Sequence, residues 1–221
     1  VILLDNNKVL IKEFLSKHKD MCLYCDVTDS KSVSAAFKTI LKEYGGVDIV
    51  VSNAGTAPQG LMAEVTSESL KRSFEINFFS HQTIASVATR IMLKQKIKGC
   101  LLFNISKQSV NPGKAFGPYG LPKAALLNLC KQYAVDYGMY GIRSNGVNAD
   151  RIKSGMLNDK LILNRSKARG VSKDQYMKGN LLQEEVLAID VANAFYSLAV
   201  SEKTTGTILT VDGGNVAASF R

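Results

Sequence analysis

Tyr119 and Lys123 are the residues of this sequence whose types and spacing point most directly to chemistry. They lie four residues apart in "FGPYGLPKAAL", the spacing that puts two side chains on one face of a helix. A tyrosine has a reference pKa near 10, which is too high for a base at neutral pH. An ammonium one turn away favours the phenolate and lowers that pKa, so the pair could exchange a proton with an alcohol or carbonyl oxygen. The spacing alone is a weak signal, because helices with an exposed Tyr/Lys face carry it by chance.

The proline between these two residues predicts where their helix begins. Proline costs about 3 kcal/mol in the interior of a helix but little in the first turn, where the N–H groups have no intrahelical partner. Pro122 is therefore tolerable if the helix begins close to Pro118 or Tyr119. Tyr119 would then lie at the mouth of the helix, facing the loop 107–117, and Lys123 would lie one turn below it.

The elements that would position this pair follow a regular β-α-β pattern. Short apolar runs predict strands, and amphipathic periodicity between them predicts helices. The strands are expected at 1–5, 21–27, 47–54, 99–106, 141–149 and 206–214, and the main helices at 30–44, 67–95 and 118–138. This alternation predicts an α/β fold, a doubly wound parallel sheet in a Rossmann-like three-layer sandwich. The length of 221 residues and the 46% hydrophobic content predict a single domain, 1–221, with long irregular segments at 107–117 and 150–185.

The composition indicates where the protein is located and whether it binds a metal. No run of 18 apolar residues is present, so we expect no membrane span. The sequence carries no pattern of a secretory leader, and its four cysteines fall mostly in apolar runs, which predicts reduced thiols and a cytoplasmic protein. The histidines and cysteines lack metal-ligand spacing, so we predict no metal site.

The positive charge of the chain has two interpretations. The formal net charge is +9, and a lysine-rich, solvated surface is the simpler explanation. The excess is uneven, however, because the segment 150–178 holds eight bases and three acids and so carries five of the nine net charges. Such a concentration could steer an anionic substrate. No nucleic-acid-binding motif accompanies the charge, so we expect no nucleic-acid partner.

Further motifs follow in a recognisable order. "SNAG" (52–55) follows a strand, "FEIN" places Asn77 inside a helix, and "FNIS" ends a strand at Ser106. "CDVTD" puts Asp26 at the end of another strand, and "VDGG" (211–214) closes the last one. Together with Y-x-x-x-K, this set resembles the short-chain dehydrogenase/reductase family over nearly the whole chain.

The resemblance implies a role for each motif residue. Tyr119 would be the general acid/base, and Lys123 would lower its pKa and bind the hydroxyls of the nicotinamide ribose. Ser106 would hydrogen-bond the substrate oxygen, with Ser109 as the alternative, because this serine strand reads "NISKQS". Asn77 would hold a water that relays the proton through Lys123.

The resemblance also implies a dinucleotide site and its specificity. Its residues would be Asp5, Asp26, Val27, Asn53, Ala54, Gly55, Tyr119, Lys123, Ile152 and Ser154. The first strand and glycine-rich turn of the family would lie upstream of residue 1, so the domain would lack them. Asp5 would then be the acid that accepts from a ribose 2′-OH and repels a 2′-phosphate, which favours NAD over NADP. The alternative is that Asp5 is a helix cap or turn residue. Asn148-Ala149-Asp150 replaces the family's usual Asn-Pro-Gly.

Within the family, three segments resemble one subgroup. These are "FNISKQSVNPGKAFGPYGLPKAAL", "VNADRIKSG" and "TTGTILTVDGGN", and they are similar to the dehydrogenase half of bifunctional rhamnulose-1-phosphate aldolase/lactaldehyde dehydrogenase proteins. The resemblance implies an NAD-dependent oxidoreductase acting on lactaldehyde, a sugar alcohol or a sugar phosphate. It also implies a homotetramer and an N-terminal aldolase domain in the full-length protein. The alternative is a non-catalytic or truncated dehydrogenase module that serves in assembly with the aldolase partner.

Overall fold

The computed structural model describes residues 1–218, in which strands and helices alternate along the chain. The strands are β1 Ile2–Asp5, β2 Met21–Tyr24, β3 Ile49–Ser52, β4 Gly99–Asn104, β5 Ile142–Ala149 and β6 Ile208–Val211. The α-helices are α1 Lys8–Lys17, α2 Ser30–Tyr44, α3 Ser67–Phe74, α4 Ser80–Gln95, α5 Gly117–Tyr137, α6 Asp159–Ala168, α7 Lys173–Met177, α8 Ala188–Val200 and α9 Asn215–Ala218. All of the predicted strands form, each shorter than its apolar run. None of the helices in the described residues is long and apolar enough to cross a bilayer.

The layers of the fold are set by the alternation of side chains along β4. Leu101 and Phe103 face the core formed with α4 and α5, whereas Cys100 and Leu102 face the core formed with α8. Neighbouring residues of a strand point to opposite faces of the sheet, so a strand that is apolar throughout must be covered on both sides. The three-layer α/β arrangement that the sequence predicts is thereby confirmed.

The parallel strands form two separate sheets in this chain. β3, β4, β5 and β6 make one sheet in that order, and β1 and β2 make the other. β1 and β3 are consequently edge strands, and apolar side chains on them remain exposed, with Ile49 at 51% and Val51 at 49%. An open cleft of about 1950 Å³ extends from these two edges to Tyr119. Edge strands present unpaired backbone N–H and C=O groups, so both walls of the cleft can form further hydrogen bonds.

Two segments differ from the sequence expectation. The predicted helix 67–95 is interrupted by a π-helical segment, Glu75–Phe79. The segment 150–185, expected to be irregular, contains α6 and α7, so that expectation was wrong. Each of these short helices begins at a capping side chain: Asn158 accepts from the N–H of Leu161, and Ser172 forms a capping box with Gln175. Their few apolar residues are adjacent, at 161–163 in α6 and 176–177 in α7, so neither segment shows the spacing of a helical face.

Candidate active site

The start of α5 brings Tyr119 and Ser106 together. Tyr119 is the third residue of the helix and is 9% exposed, and the side chain of Ser106 is close enough to lower the pKa of its phenol through hydrogen bonding. Ser106 follows β4, where its own oxygen accepts from the N–H of Gln108 at 3.2 Å. Both residues line the cleft, whereas Ser109 does not. The geometry therefore favours Ser106 over Ser109 as the partner of the phenol.

The electrostatics of Tyr119 differ from the simple expectation of a lowered pKa. Burial raises the pKa of Tyr119, the hydrogen bond from Ser106 and the charge of Arg165 lower it, and the Asp150 carboxylate raises it. The net pKa is above the ordinary value, because burial outweighs the favourable contacts. The pKa of Tyr119 is not set by Lys123, whose Nζ lies 5.9 Å from the centre of the Tyr119 ring and whose own pKa is lowered by burial.

Lys123 is held behind the lining of the cleft by a residue that the sequence analysis did not single out. Its side chain is 2% exposed, and burial lowers its pKa from 10.5 to about 7. The Nζ donates to the backbone carbonyl of Asn104 at 2.7 Å, and the Asn104 amide donates to Asn53 Oδ1 at 2.6 Å. Asn104 thus joins the lysine to the loop after β3. Its place at the carboxyl end of a buried parallel strand is the signal that could have identified it.

Asn77 is tied to the same loop from the other side. It is fully buried in the π-helical segment between α3 and α4, a kind of segment that is frequent at functional sites. Its Oδ1 accepts from the N–H of Thr56 at 3.1 Å, and its Nδ2 donates to Ser73 Oγ at 3.0 Å. A Cβ added to Gly55 would lie 3.0 Å from Asn77 Oδ1 and 3.8 Å from Lys123 Nζ. The loop therefore passes close to both side chains because Gly55 has none.

Pro122 is accommodated by a hydrogen bond from outside its helix. α5 begins at Gly117, one residue before the predicted start, so Pro122 is the sixth residue of the helix rather than part of the first turn. Its missing N–H leaves the Pro118 carbonyl without the usual donor four residues later. The Ser73 hydroxyl donates to that carbonyl at 2.7 Å, and the same hydroxyl accepts from Asn77. The proline thus helps to connect the start of α5 to Asn77.

The residues predicted to hold the dinucleotide share one cleft with Tyr119. Those that line it are Asp5, Asp26, Val27, Asn53, Ala54, Gly55, Ile152 and Ser154. Asp5 Oδ1 accepts from the N–H of Asn7 at 2.7 Å, so it also acts as the turn residue of the alternative interpretation, while Asn7 caps α1. Asp26 accepts two hydrogen bonds from Thr28, at 2.9 and 2.7 Å, which lower the pKa of Asp26 and keep its carboxylate ionised.

The altered segment after β5 is fixed by polar contacts. Asp150 accepts a hydrogen bond from the Asn215 side chain and lies 3.4 Å from Arg151 Nε. Arg151 adopts a left-handed backbone conformation, with φ at +55°, and its guanidinium donates to the backbone carbonyls of Tyr176 and Gly179 at 2.7 and 2.9 Å. These contacts connect the end of β5 to α7 and to the start of α9.

The cleft contains a second residue that sequence reasoning missed, Arg165. It extends from α6 to the same lining as Tyr119, and its charge reaches the phenol. The net charge pointed to the segment 150–178 but did not distinguish Arg165 from the seven other basic residues there. Residues 1–218 contain no group of three or more His, Cys, Asp or Glu side chains placed to bind a metal ion.

Comparisons with known proteins find similar oxidoreductases. A family model described as enoyl-(acyl carrier protein) reductase matches residues 1–215. The uncharacterized oxidoreductase YuxG of Bacillus subtilis is 32% identical over 96% of this chain, although the chain spans only 32% of YuxG. (+)-Borneol dehydrogenase 1 of Salvia officinalis is 32% identical over 87% of this chain and 74% of its own length. The crystal structure of sorbitol-6-phosphate 2-dehydrogenase SrlD from Erwinia amylovora superposes with a TM-score of 0.88 at 22% identity, covering 97% of this chain and 89% of that one, a likeness of fold.

Proposed function

The chain belongs to the short-chain dehydrogenase/reductase family, and we propose that it is an NAD-dependent oxidoreductase that interconverts a hydroxyl and a carbonyl on a small, sugar-derived substrate. The observation that carries this proposal is the convergence of Tyr119 and Ser106 on one end of a long cleft, with Lys123 directly behind them. A bound nicotinamide would supply or accept the hydride. The chain's own residues would handle the proton and the orientation of the substrate.

The proton would be exchanged at the phenolic oxygen of Tyr119. In the reducing direction the phenol donates its proton to the carbonyl oxygen, and the Ser106 hydroxyl hydrogen-bonds that same oxygen. The raised pKa of Tyr119 keeps the phenol protonated at neutral pH, as a proton donor requires. The pKa of Lys123, lowered to about 7, lets its ammonium lose and regain a proton near neutral pH. Asn77, which is linked through Ser73 to the Pro118 carbonyl at the start of α5, would hold the water of the relay.

The residues along the cleft fit a dinucleotide. The loop of Asn53, Ala54 and Gly55 offers small side chains and backbone next to Lys123, where a ribose would lie. Asp5 and Asp26 place carboxylates at the opposite end, on the side of the small sheet. An exposed carboxylate at Asp5 accepts from a ribose 2′-OH and repels a 2′-phosphate, which supports NAD over NADP. Measuring kcat/KM for NAD and for NADP in wild type and in Asp5→Asn tests this choice. Without the carboxylate, the ratio of kcat/KM for NAD to kcat/KM for NADP should fall.

The cleft between the two sheets would be completed by a strand and glycine-rich turn from residues upstream of Val1. Two parallel edges that face one space, each with exposed apolar side chains such as Leu3 and Val51, support this proposal. A parallel strand placed there would pair with both edges and cover those side chains. Extending the chain upstream of Val1 should raise the melting temperature by several degrees, whereas an unchanged melting temperature would contradict the proposal.

Turnover tests the proposed activity directly. The upstream-extended protein should change NADH absorbance with lactaldehyde, a sugar alcohol or a sugar phosphate. Tyr119→Phe should lower the rate by about 10²- to 10⁴-fold, since it removes the proton donor. Tyr140→Phe, on an exposed tyrosine beyond the end of α5, is the matched control and should keep the wild-type rate. A Tyr119→Phe enzyme that works at full rate would refute the mechanism.

The second candidate is a non-catalytic or truncated dehydrogenase module in assembly with an aldolase partner. The two unpaired sheet edges favour it, and so does the small share of YuxG that the chain matches. A covalent N-terminal aldolase domain would supply such a partner. If NAD causes no thermal shift in the upstream-extended protein, this candidate replaces the first.

The assembly we propose is a cytoplasmic homotetramer. Apolar side chains are exposed on or next to the long helices, among them Phe79 and Val135, the latter at 76%. A copy of the same chain packed on these helices would cover them. Light scattering on the purified protein measures the mass of the assembly, and a monomer at micromolar concentration would contradict this part of the proposal.

A further inference from the structure

The basic segment 150–178 separates into paired and unpaired cations. All three of its acids are engaged in ion pairs: Asp150 with Arg151 at 3.4 Å, Asp159 with Lys153 at 3.0 Å, and Asp174 with Lys178 at 2.7 Å. Within the described residues, the bases without a carboxylate oxygen inside 4 Å are Lys160, Arg165, Lys167, Arg169 and Lys173. Of these five, Arg165 is the one that lines the cleft beside Tyr119.

Arg165 is oriented by aromatic rings but scarcely hydrogen-bonded. Its guanidinium carbon lies 4.2 Å from the centre of the Phe116 ring, and one terminal nitrogen is 3.4 Å from the Tyr176 hydroxyl, a long hydrogen bond. Its Nε is buried and has no hydrogen-bond partner in residues 1–218. A guanidinium has five N–H donors, and a buried donor without a partner is costly, so this arrangement is incomplete as it stands.

Arg151 shows how a structural arginine looks in the same region. It also contacts the Tyr176 ring, with its guanidinium carbon 4.9 Å from the ring centre. Unlike Arg165, it donates to two backbone carbonyls and forms an ion pair with Asp150. The difference in hydrogen bonding shows that packing on an aromatic ring does not by itself account for Arg165.

Arg165 lies close to Tyr119, at the end of the cleft where the reaction is proposed to take place. Phe116, on which it stacks, is the N-cap residue of α5 and precedes Tyr119 by three residues. The charge of Arg165 is close enough to lower the pKa of Tyr119. A ligand whose oxygen reaches the phenol could therefore place a second group against the guanidinium.

We propose that Arg165 binds an oxyanion group of the substrate, a phosphate or a carboxylate carried away from the reacting hydroxyl or carbonyl. The planar fork of a guanidinium matches two oxygens of either group, and the stacking on Phe116 holds that fork in place. The unpartnered Nε supplies one of the two donors. The assignment of this anion to the substrate rests on the proposed function, whereas the anion site itself does not.

Binding measured without turnover tests the site. Calorimetric titrations of the upstream-extended protein, saturated with NAD, would compare three six-carbon probes: sorbitol, sorbitol 6-phosphate and gluconate. Wild type should bind one of the charged probes at least tenfold more tightly than sorbitol, and the charged probe it prefers separates a phosphate site from a carboxylate site. Arg165→Gln should weaken that probe by about 10- to 100-fold and leave sorbitol within twofold, since hydrogen bonds to charged groups are worth about 1.5–3 kcal/mol.

Matched variants distinguish the paired N–H donors of the Arg165 guanidinium from the effect of a positive charge alone. Arg165→Lys keeps the charge without the fork and should fall between wild type and Arg165→Gln. Lys167→Gln removes one charge from the same helix outside the cleft and should leave all three affinities within twofold. A wild type without preference for either charged probe, or an Arg165→Gln variant that binds as wild type does, would overturn the proposal. If no turnover is found but binding still depends on Arg165, the oxidoreductase function fails and the anion site stands.

Discussion

Replacing Lys123 by methionine should stabilise the fold at neutral pH while it removes a residue of the proposed proton relay. The lysine side chain is 2% exposed, and its Nζ has one hydrogen bond to protein in the described chain, to the Asn104 carbonyl. Burial lowers its pKa from 10.5 to about 7. Between these two pH values the unfolded chain binds a proton that the folded chain does not. The wild-type free energy of unfolding therefore rises with pH across this window.

The size of the effect follows from the two pKa values. From pH 7 to 10.5 the lysine should change the wild-type free energy of unfolding by about 4 kcal/mol, at a slope of roughly 1.4 kcal/mol per pH unit. Methionine has a similar volume and no charge, so Lys123→Met lacks this dependence. Its stability advantage over wild type should therefore be largest at or below pH 7 and should shrink as the pH rises through 10.

Urea denaturation at several pH values between 6 and 10 measures this difference. The chain has no tryptophan, so far-UV circular dichroism is the suitable signal. Lys131→Met is the matched control, because Lys131 is exposed on the same helix. Its stability difference from wild type should change much less between pH 6 and 10 than the difference for Lys123→Met, because Lys131 is exposed. If the Lys123→Met difference stays constant within about 1 kcal/mol, the ammonium is better solvated than its burial indicates, and the reasoning is refuted.

Two further substitutions test the packing around the site. Gly146→Ala should lower the free energy of unfolding by about 1–3 kcal/mol, because the new Cβ would collide with the buried Ile105 side chain. Gly155→Ala is the control, since a Cβ at that position meets nothing within 4 Å. Equal urea midpoints for the two variants would contradict the prediction. Ser73→Ala should cost about 1–3 kcal/mol, since the Pro118 carbonyl and Asn77 both lose a partner. Pro122→Ala restores an N–H that can donate to the same Pro118 carbonyl. Ser73→Ala should therefore lower the free energy of unfolding by less in the Pro122→Ala variant than in wild type. If the two losses simply add in a double-mutant cycle, Ser73 does not compensate for the proline.

The sequence predicted the strands and the helix that carries Tyr119 and Lys123 because both depend on local pattern. Continuous apolar runs require strands covered on two faces, and β4 with Leu101 and Leu102 is such a strand. The start of α5 was predicted within one residue because a proline has few acceptable positions in a helix. These features need no knowledge of which elements meet in space.

The parts of the site that escaped prediction depend on contacts between distant segments. The Ser73 hydroxyl makes Pro122 tolerable from 45 residues away in the chain, measured to the Pro118 carbonyl that it binds. The pKa of Tyr119 is raised because tertiary burial outweighs the hydrogen bond from Ser106, which spacing in α5 could not reveal. Arg165 is distinguished from Lys167 by its stacking on Phe116 and not by its charge. Sequence pattern gives the candidates, and packing selects among them.

The division of the strands into two sheets has a consequence for stability. Asp5 belongs to the small sheet, while Asn53 and Ser106 follow strands of the large one. A dinucleotide that reaches from Asp5 to Asn53, with the substrate beside Ser106, would contact both sheets at once, so its binding free energy would stabilise their arrangement. Because α2 and the large sheet already share one hydrophobic core, calorimetric scans should show a single transition whose midpoint rises as NAD is added, with the ligand joining two strand edges that the chain leaves unpaired.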